Sequence, residues 1–134
     1  MAAEGLISRK IQYDPKETMG RLESAVSRRG LTIFARVDHA AGAAQVGQSL
    51  RPTDLLIFGN AKGGTLVMQA AQTAGIDLPL KALVWQDANG TTWLSYNDPA
   101  WIGARHTASP SADAALDAVS KLLQAIVTEV ASQP

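Results

Sequence analysis

At 134 residues the chain is long enough for one domain to bury its apolar side chains in a single core without disulfide or metal staples. Twelve Lys and Arg against twelve Asp and Glu leave no net charge, which argues against a basic surface for nucleic acid or anionic lipid. The absence of cysteine excludes thiol catalysis, thiolate zinc sites and a disulfide framework.

The first residues, MAAEGLISRK, lack the basic start and long apolar block of a secretory signal. No later segment approaches the roughly 18 uninterrupted apolar residues of a membrane span. The expectation is a single cytoplasmic domain over residues 1–134, with neither membrane nor nucleic acid as partner.

Ile7, Arg9, Ile11 and Tyr13 alternate with Ser8, Lys10 and Gln12, the two-residue period of a strand. Asp14, Pro15 and Glu17 then make a helix start, with Asp14 as cap and proline at the first helical position. Met19, Leu22, Ala25 and Val26 share one helical face, and Gly30 after Arg28 and Arg29 marks the stop. Leu31, Ile33, Ala35 and Val37 alternate as a second strand, with Phe34 out of pattern. Asp38 caps a short alanine-rich helix over residues 39–48, weakened by Gly42 and Gly47.

A third strand runs from Asp54 to Phe58. The stretch Gly59-Asn60-Ala61-Lys62-Gly63-Gly64-Thr65 reads as a loop leading to a helix over residues 65–74, which Gly75 ends. Residues 80–87 and 91–97 read as strands joined through Asn89-Gly90, a preferred pair for a two-residue turn. That turn sets a register of Trp85 with Leu94, Leu83 with Tyr96 and Lys81 with Asp98. It leaves large apolar groups on both faces of the sheet. Helices cover one face; a second copy of the chain is the simplest cover for the other, so a homodimer is expected. Residues 100–110 read as irregular. Ser109-Pro110 then opens a last helix in which Leu116, Val119, Leu123, Ile126 and Val130 recur at three- and four-residue steps.

The 59–65 stretch has the character of an anion site, since amides at a helix start, the dipole and Lys62 all favour negative charge. It departs from the triphosphate loop because Thr65 stands where that motif needs lysine. His39 and His106 lie at element boundaries, where an imidazole can serve as general acid or base with Asp38 or Asp98. No HxH, HxxxH or HExxH spacing is present, so no metal site is expected, and nothing specifies a cofactor. Trp101 is a candidate for a pocket rim.

The segments FGNAKGGTLVM, DLPLKALVWQD and TWLSYNDP resemble the domain of unknown function 302 family. Asp38-His39-Ala40-Ala41 and Arg105-His106 extend the likeness, while Ala61 replaces the proline of the family's FGNPK segment. The resemblance implies an α+β fold similar to the TATA-box-binding-protein-like arrangement, with a tendency to dimerise and no established activity. By position it adds His39, Asn60, Lys62, Tyr96, Asp98 and His106 as site candidates.

Together these readings predict an antiparallel, or mixed, sheet of four to five strands with helices on one face, in the order β-α-β-α-β-α-β-β-α. The functional expectation is a homodimer binding a small anionic molecule. Its site would be drawn from Asn60, Lys62, Gly63, Gly64, Thr65, His39, His106, Tyr96 and Asp98. The alternatives are an enzyme using His39 or His106, and a structural interaction module.

Overall fold

In the computed structural model, which describes residues 3–133, the order is β1 (Leu6–Ile11), α1 (Pro15–Arg28), β2 (Thr32–Asp38), α2 (His39–Gln45), β3 (Thr53–Gly59), α3 (Ala61–Ala70), β4 (Leu80–Gln86), β5 (Thr92–Asn97), α4 (Pro99–Arg105) and α5 (Asp113–Ala131). Short 3-10 turns at Gln72–Ile76 and Pro110–Ala112 precede β4 and α5. The five strands form one sheet in the order β1-β5-β4-β3-β2, with every neighbouring pair antiparallel.

Local chemistry accounts for the first helix. The Asp14 carboxylate accepts from the Glu17 amide at 2.7 Å, and Pro15 occupies the first turn. Thr18, Met19, Leu22, Ala25 and Val26 are buried. Met19, Leu22, Ala25 and Val26 meet Leu56, Phe58, Ala82, Val84, Leu94 and Tyr96 from the sheet and Leu123, Ile126, Val127 and Val130 from α5. This cluster is the main core, and α1 and α5 cover that face of the sheet.

Three expectations need correction. The helix expected from Thr65 begins at Ala61, because Asn60 caps it, so Lys62, Gly63 and Gly64 lie in its first turn rather than in a loop. The stretch after Pro99, read as irregular, is α4. Asp98 caps it by accepting from the Ala100 amide at 3.0 Å, and Pro99 occupies its first turn.

The third correction is the hairpin register, which slips by one residue: Trp85 faces Trp93, Val84 faces Leu94, Leu83 faces Ser95 and Ala82 faces Tyr96. The connection is a three-residue loop, Ala88-Asn89-Gly90, with Gly90 at φ +81. The Asp87 carboxylate ties it by accepting from the amides of Asn89 and Thr91 and from the Trp93 indole, each at 2.9 Å. A one-residue slip reverses which side chains share a face. Here it sorts a mixed pattern, placing Leu94 and Tyr96 with Ala82 and Val84 in the core. Trp85 and Trp93 stack at 6.2 Å on the opposite face, beside half-buried Leu83, Leu55 and Ile57. No helix of the described residues is long and apolar enough to cross a membrane.

Candidate functional site

A cavity of about 260 Å³ opens where α3, the segment before β4, α4 and the N-terminal half of α5 meet. One wall is the first turns of α3: Asn60, Gly63, Gly64, Val67 and Met68. Leu78 and Pro79 form a second wall, Pro99 and Ile102 of α4 a third, and Leu116, Val119 and Leu122 of α5 the floor; Leu31 and Phe34 close the β2 side. Asn60 and Thr65 are the polar members of the lining, and none of the described lining side chains is charged.

The sequence makes this wall thin. Asn60 Oδ1 accepts from the Gly63 amide at 2.7 Å and the Asn60 carbonyl from the Gly64 amide at 3.2 Å. The second is the first regular bond of the helix, so one of the four amides left free at the helix start, that of Gly63, is committed to the cap side chain. The two glycines keep the wall to bare backbone, and a Cβ built on Gly64 would meet only Met68 Cε, at 3.8 Å.

Of the sequence candidates, Asn60, Gly63, Gly64 and Thr65 line this cavity. Lys62 lies on the exposed side of the first turn of α3 and is outside the lining. Tyr96 is core, and its phenol is pushed upward by burial and by the nearby Asp98 carboxylate. Asp98 caps α4, and His39 is the exposed first residue of α2 behind the Asp38 cap. Trp101 does not rim the cavity. Its ring lies over Gly5, where a Cβ would come within 2.2 Å, and Arg105 sits above it at 5.6 Å.

His106 belongs to a second constellation. Its side chain is 8% exposed; Nε2 is 2.5 Å from Asp77 Oδ2 and Nδ1 is 2.8 Å from Thr73 Oγ1. Arg105 donates to both Asp77 oxygens at 2.8 Å. Burial alone would raise the Asp77 carboxyl, but the hydrogen bond from His106 and the charge of Arg105 outweigh it and hold the group below the usual aspartate range. The expected partners of a working histidine were Asp38 and Asp98; the structure supplies Asp77 and Thr73 instead. Both constellations use the same two segments, since Asp77 precedes Leu78 and His106 lies one turn beyond Ile102. Among the described residues, no group of three or more His, Asp or Glu gathers as a metal site.

A family model, "Domain of unknown function DUF302", matches residues 7–126. The chain belongs to the DUF302 family. A crystal structure of an uncharacterized conserved DUF302 protein from Bacillus stearothermophilus has the same fold, with a TM-score of 0.84 at 21% identity over 96% of this chain and 99% of that one. In sequence, the DUF302 chain is similar to two proteins named "Fluoride-specific ion channel FluC 1". The one from Brucella suis biovar 1 (strain 1330) is 44% identical over 115 residues, covering 86% of this chain and 45% of that protein. The one from Brucella abortus biovar 1 (strain 9-941) is also 44% identical over 115 residues, with 43% of its length covered. The chain thus spans less than half the length of these relatives.

Proposed function

We propose that this DUF302 domain is a small-molecule-binding module whose ligand places an aromatic ring or short hydrocarbon chain in the cavity beside residues 59–65. The observation that carries this reading is the uncharged lining of a preformed hollow. Apolar hollows of this kind bind apolar guests, because water inside them finds too few partners. Asn60 and Thr65 at the α3 side supply polar contacts to one end of the guest. Lys62, on the exposed side of that turn, is available to an anionic substituent that reaches out of the mouth. The half-buried Trp85, Trp93, Leu83, Leu55 and Ile57 support association with a second copy through the other sheet face.

Methyl NMR during titration with indole and with octanoate tests the reading. The expected result is a saturable shift of the Val67, Leu116 and Leu122 methyls by at least one probe, lost in Gly64→Leu. No saturable shift at those methyls would defeat it. Native mass spectrometry of the wild type against Trp85→Glu tests the second copy, with a dimer expected only in the wild type.

A second reading rests on the Brucella proteins. They are named as an ion channel, the matched region is under half of their length, and this chain has no membrane-length apolar helix among its described residues. We infer that the domain acts as an accessory to a fluoride-conducting unit and does not itself conduct. Fluoride efflux from liposomes holding the Brucella suis protein, with and without its matched region, tests this. Conduction should persist without that region, while its rate or regulation changes.

A further inference from the structure

We propose that Thr73 is a nucleophile, activated by His106 and Asp77, that takes the acyl group of activated esters or thioesters. The inference is independent of the cavity reading.

Geometry carries it. The Asp77 carboxylate accepts from His106 Nε2–H at 2.5 Å, which fixes the proton of the neutral ring on that nitrogen. Nδ1 is then the unprotonated nitrogen, and it lies 2.8 Å from Thr73 Oγ1, whose hydroxyl donates to it. Hydroxyl, imidazole and carboxylate thus stand in the order of nucleophile, base and orienting group, each within hydrogen-bond reach of the next. The two ring nitrogens exchange their usual roles, which leaves the proton path intact.

Burial is graded along the line: Asp77 and the His106 ring are enclosed, at 13% and 8% exposure, while Thr73 lies at the surface where a substrate can reach it. The base is held at a helix end: Thr107 takes φ +49 as the left-handed residue that closes α4, with its amide on Ala104 O at 3.2 Å and the Ala108 amide on Gly103 O at 2.9 Å, which sets His106 at the C-cap. The chemistry favours acyl over phosphoryl transfer, because the neighbouring cation, Arg105, is already held by both oxygens of Asp77.

In the first step Oγ1 forms a bond to the substrate carbonyl carbon as Nδ1 takes the hydroxyl proton. The bond from that carbon to the leaving oxygen or sulfur then breaks, and the imidazolium returns the proton to the leaving group. Water repeats the sequence on the threonine ester, releasing a carboxylic acid and restoring Thr73.

The experiment is p-nitrophenyl acetate turnover by the whole chain, with the acetyl adduct located by peptide mass spectrometry. An adduct on Thr73 is expected, retained in Thr73→Ser and absent in Thr73→Val. Acylation should slow by about a hundredfold in His106→Gln and in Asp77→Asn, the size of a general-base contribution. Circular dichroism reports whether each variant is folded, and Asp77→Asn keeps the test open if His106→Gln is not. A folded wild type without adduct at Thr73 would overturn the proposal. So would an adduct forming equally fast in either folded variant, the outcome expected of a purely structural clasp.

Discussion

The two halves of α5 belong to one continuous helix, yet they meet different surroundings. In the C-terminal half, Leu123, Ile126, Val127 and Val130 are buried between α1 and the sheet. Arg21 of α1 caps that end, donating to Val130 O at 2.9 Å and Ser132 O at 2.8 Å, and Tyr13 donates to Ser132 O at 2.6 Å. In the N-terminal half, Leu116, Val119 and Leu122 border the cavity, and the helix begins from a 3-10 turn without a side-chain cap bond. The same leucine- and valine-rich repeat therefore does two jobs. Where a facing helix supplies partner atoms it makes core, and where glycine-bearing turns face it, it makes a hollow.

The largest test of that contrast is a pair of truncations. Phe58→Ala removes a fully buried ring from the closed side and should cost about 4 kcal/mol, read from urea unfolding. Leu116→Ala, beside the cavity, should cost about 1–2 kcal/mol, because part of its surface already lacks packing partners. Equal costs would mean that the two halves of α5 are packed alike.

Gly5 sharpens the boundary between rigid and yielding packing. It sits at φ +74 with the Trp101 ring over it, and an added Cβ would come within 2.2 Å of an inner ring atom. Neither the backbone nor the ring can yield cheaply, so Gly5→Ala should cost about 3 kcal/mol and lower the thermal midpoint accordingly.

Much of the closed side was legible in the sequence because its signals are local. Asp14-Pro15 with Glu17 three residues beyond the cap marks a helix start, and Met19, Leu22, Ala25 and Val26 mark its buried face. The same signal stands at Asp98-Pro99, but Gly103 interrupts the apolar pattern behind it, and α4 read as irregular. Asn60 three residues before Gly63 is likewise a cap, masked by two glycines that favour a loop on propensity alone.

The register was not legible, since Asn89-Gly90 favours a two-residue turn, whereas here Gly90 takes the left-handed last position of a three-residue loop. The Asp87 carboxylate that holds this loop, through the Asn89 and Thr91 amides and the Trp93 indole, has no pairwise signal in the sequence. Asp77 carried no signal either. It pairs with a histidine 29 residues away, and a lone aspartate before Leu78-Pro79 has no motif. The cavity lining is drawn from five segments, so only the 59–65 part of it could be anticipated.

Asp77 also gives the contrast a pH axis. Its folded carboxyl titrates below the ordinary aspartate value of about 3.9, so the unfolded chain binds its proton first as pH falls. The stability it contributes is complete above that value and is lost as pH falls through the lower folded one. Asp77→Asn should cost about 2 kcal/mol at neutral pH and flatten this part of the acid-unfolding profile, leaving the Phe58 side unchanged. An unchanged acid limb would show that the clasp between α4 and the segment before β4 contributes nothing to folding.

The smallest stability effect, Gly103→Ala, separates packing from function most sharply. A Cβ there would approach Leu116 Cδ1 to 2.6 Å, closer than two carbons tolerate, so something must move. At Gly5 the obstacle is a flat ring; at Gly103 it is the far end of a leucine that already borders empty space. Leu116 can rotate into the cavity at the cost of one rotamer change, about 1 kcal/mol. The helix regains a similar amount from replacing an interior glycine by alanine. Stability should thus stay within about 1 kcal/mol of the wild type, while the hollow shrinks and the methyl shifts induced by indole or octanoate disappear. A stable variant that still binds would mean that Leu116 has another place to go, and that this edge of the cavity is not a wall.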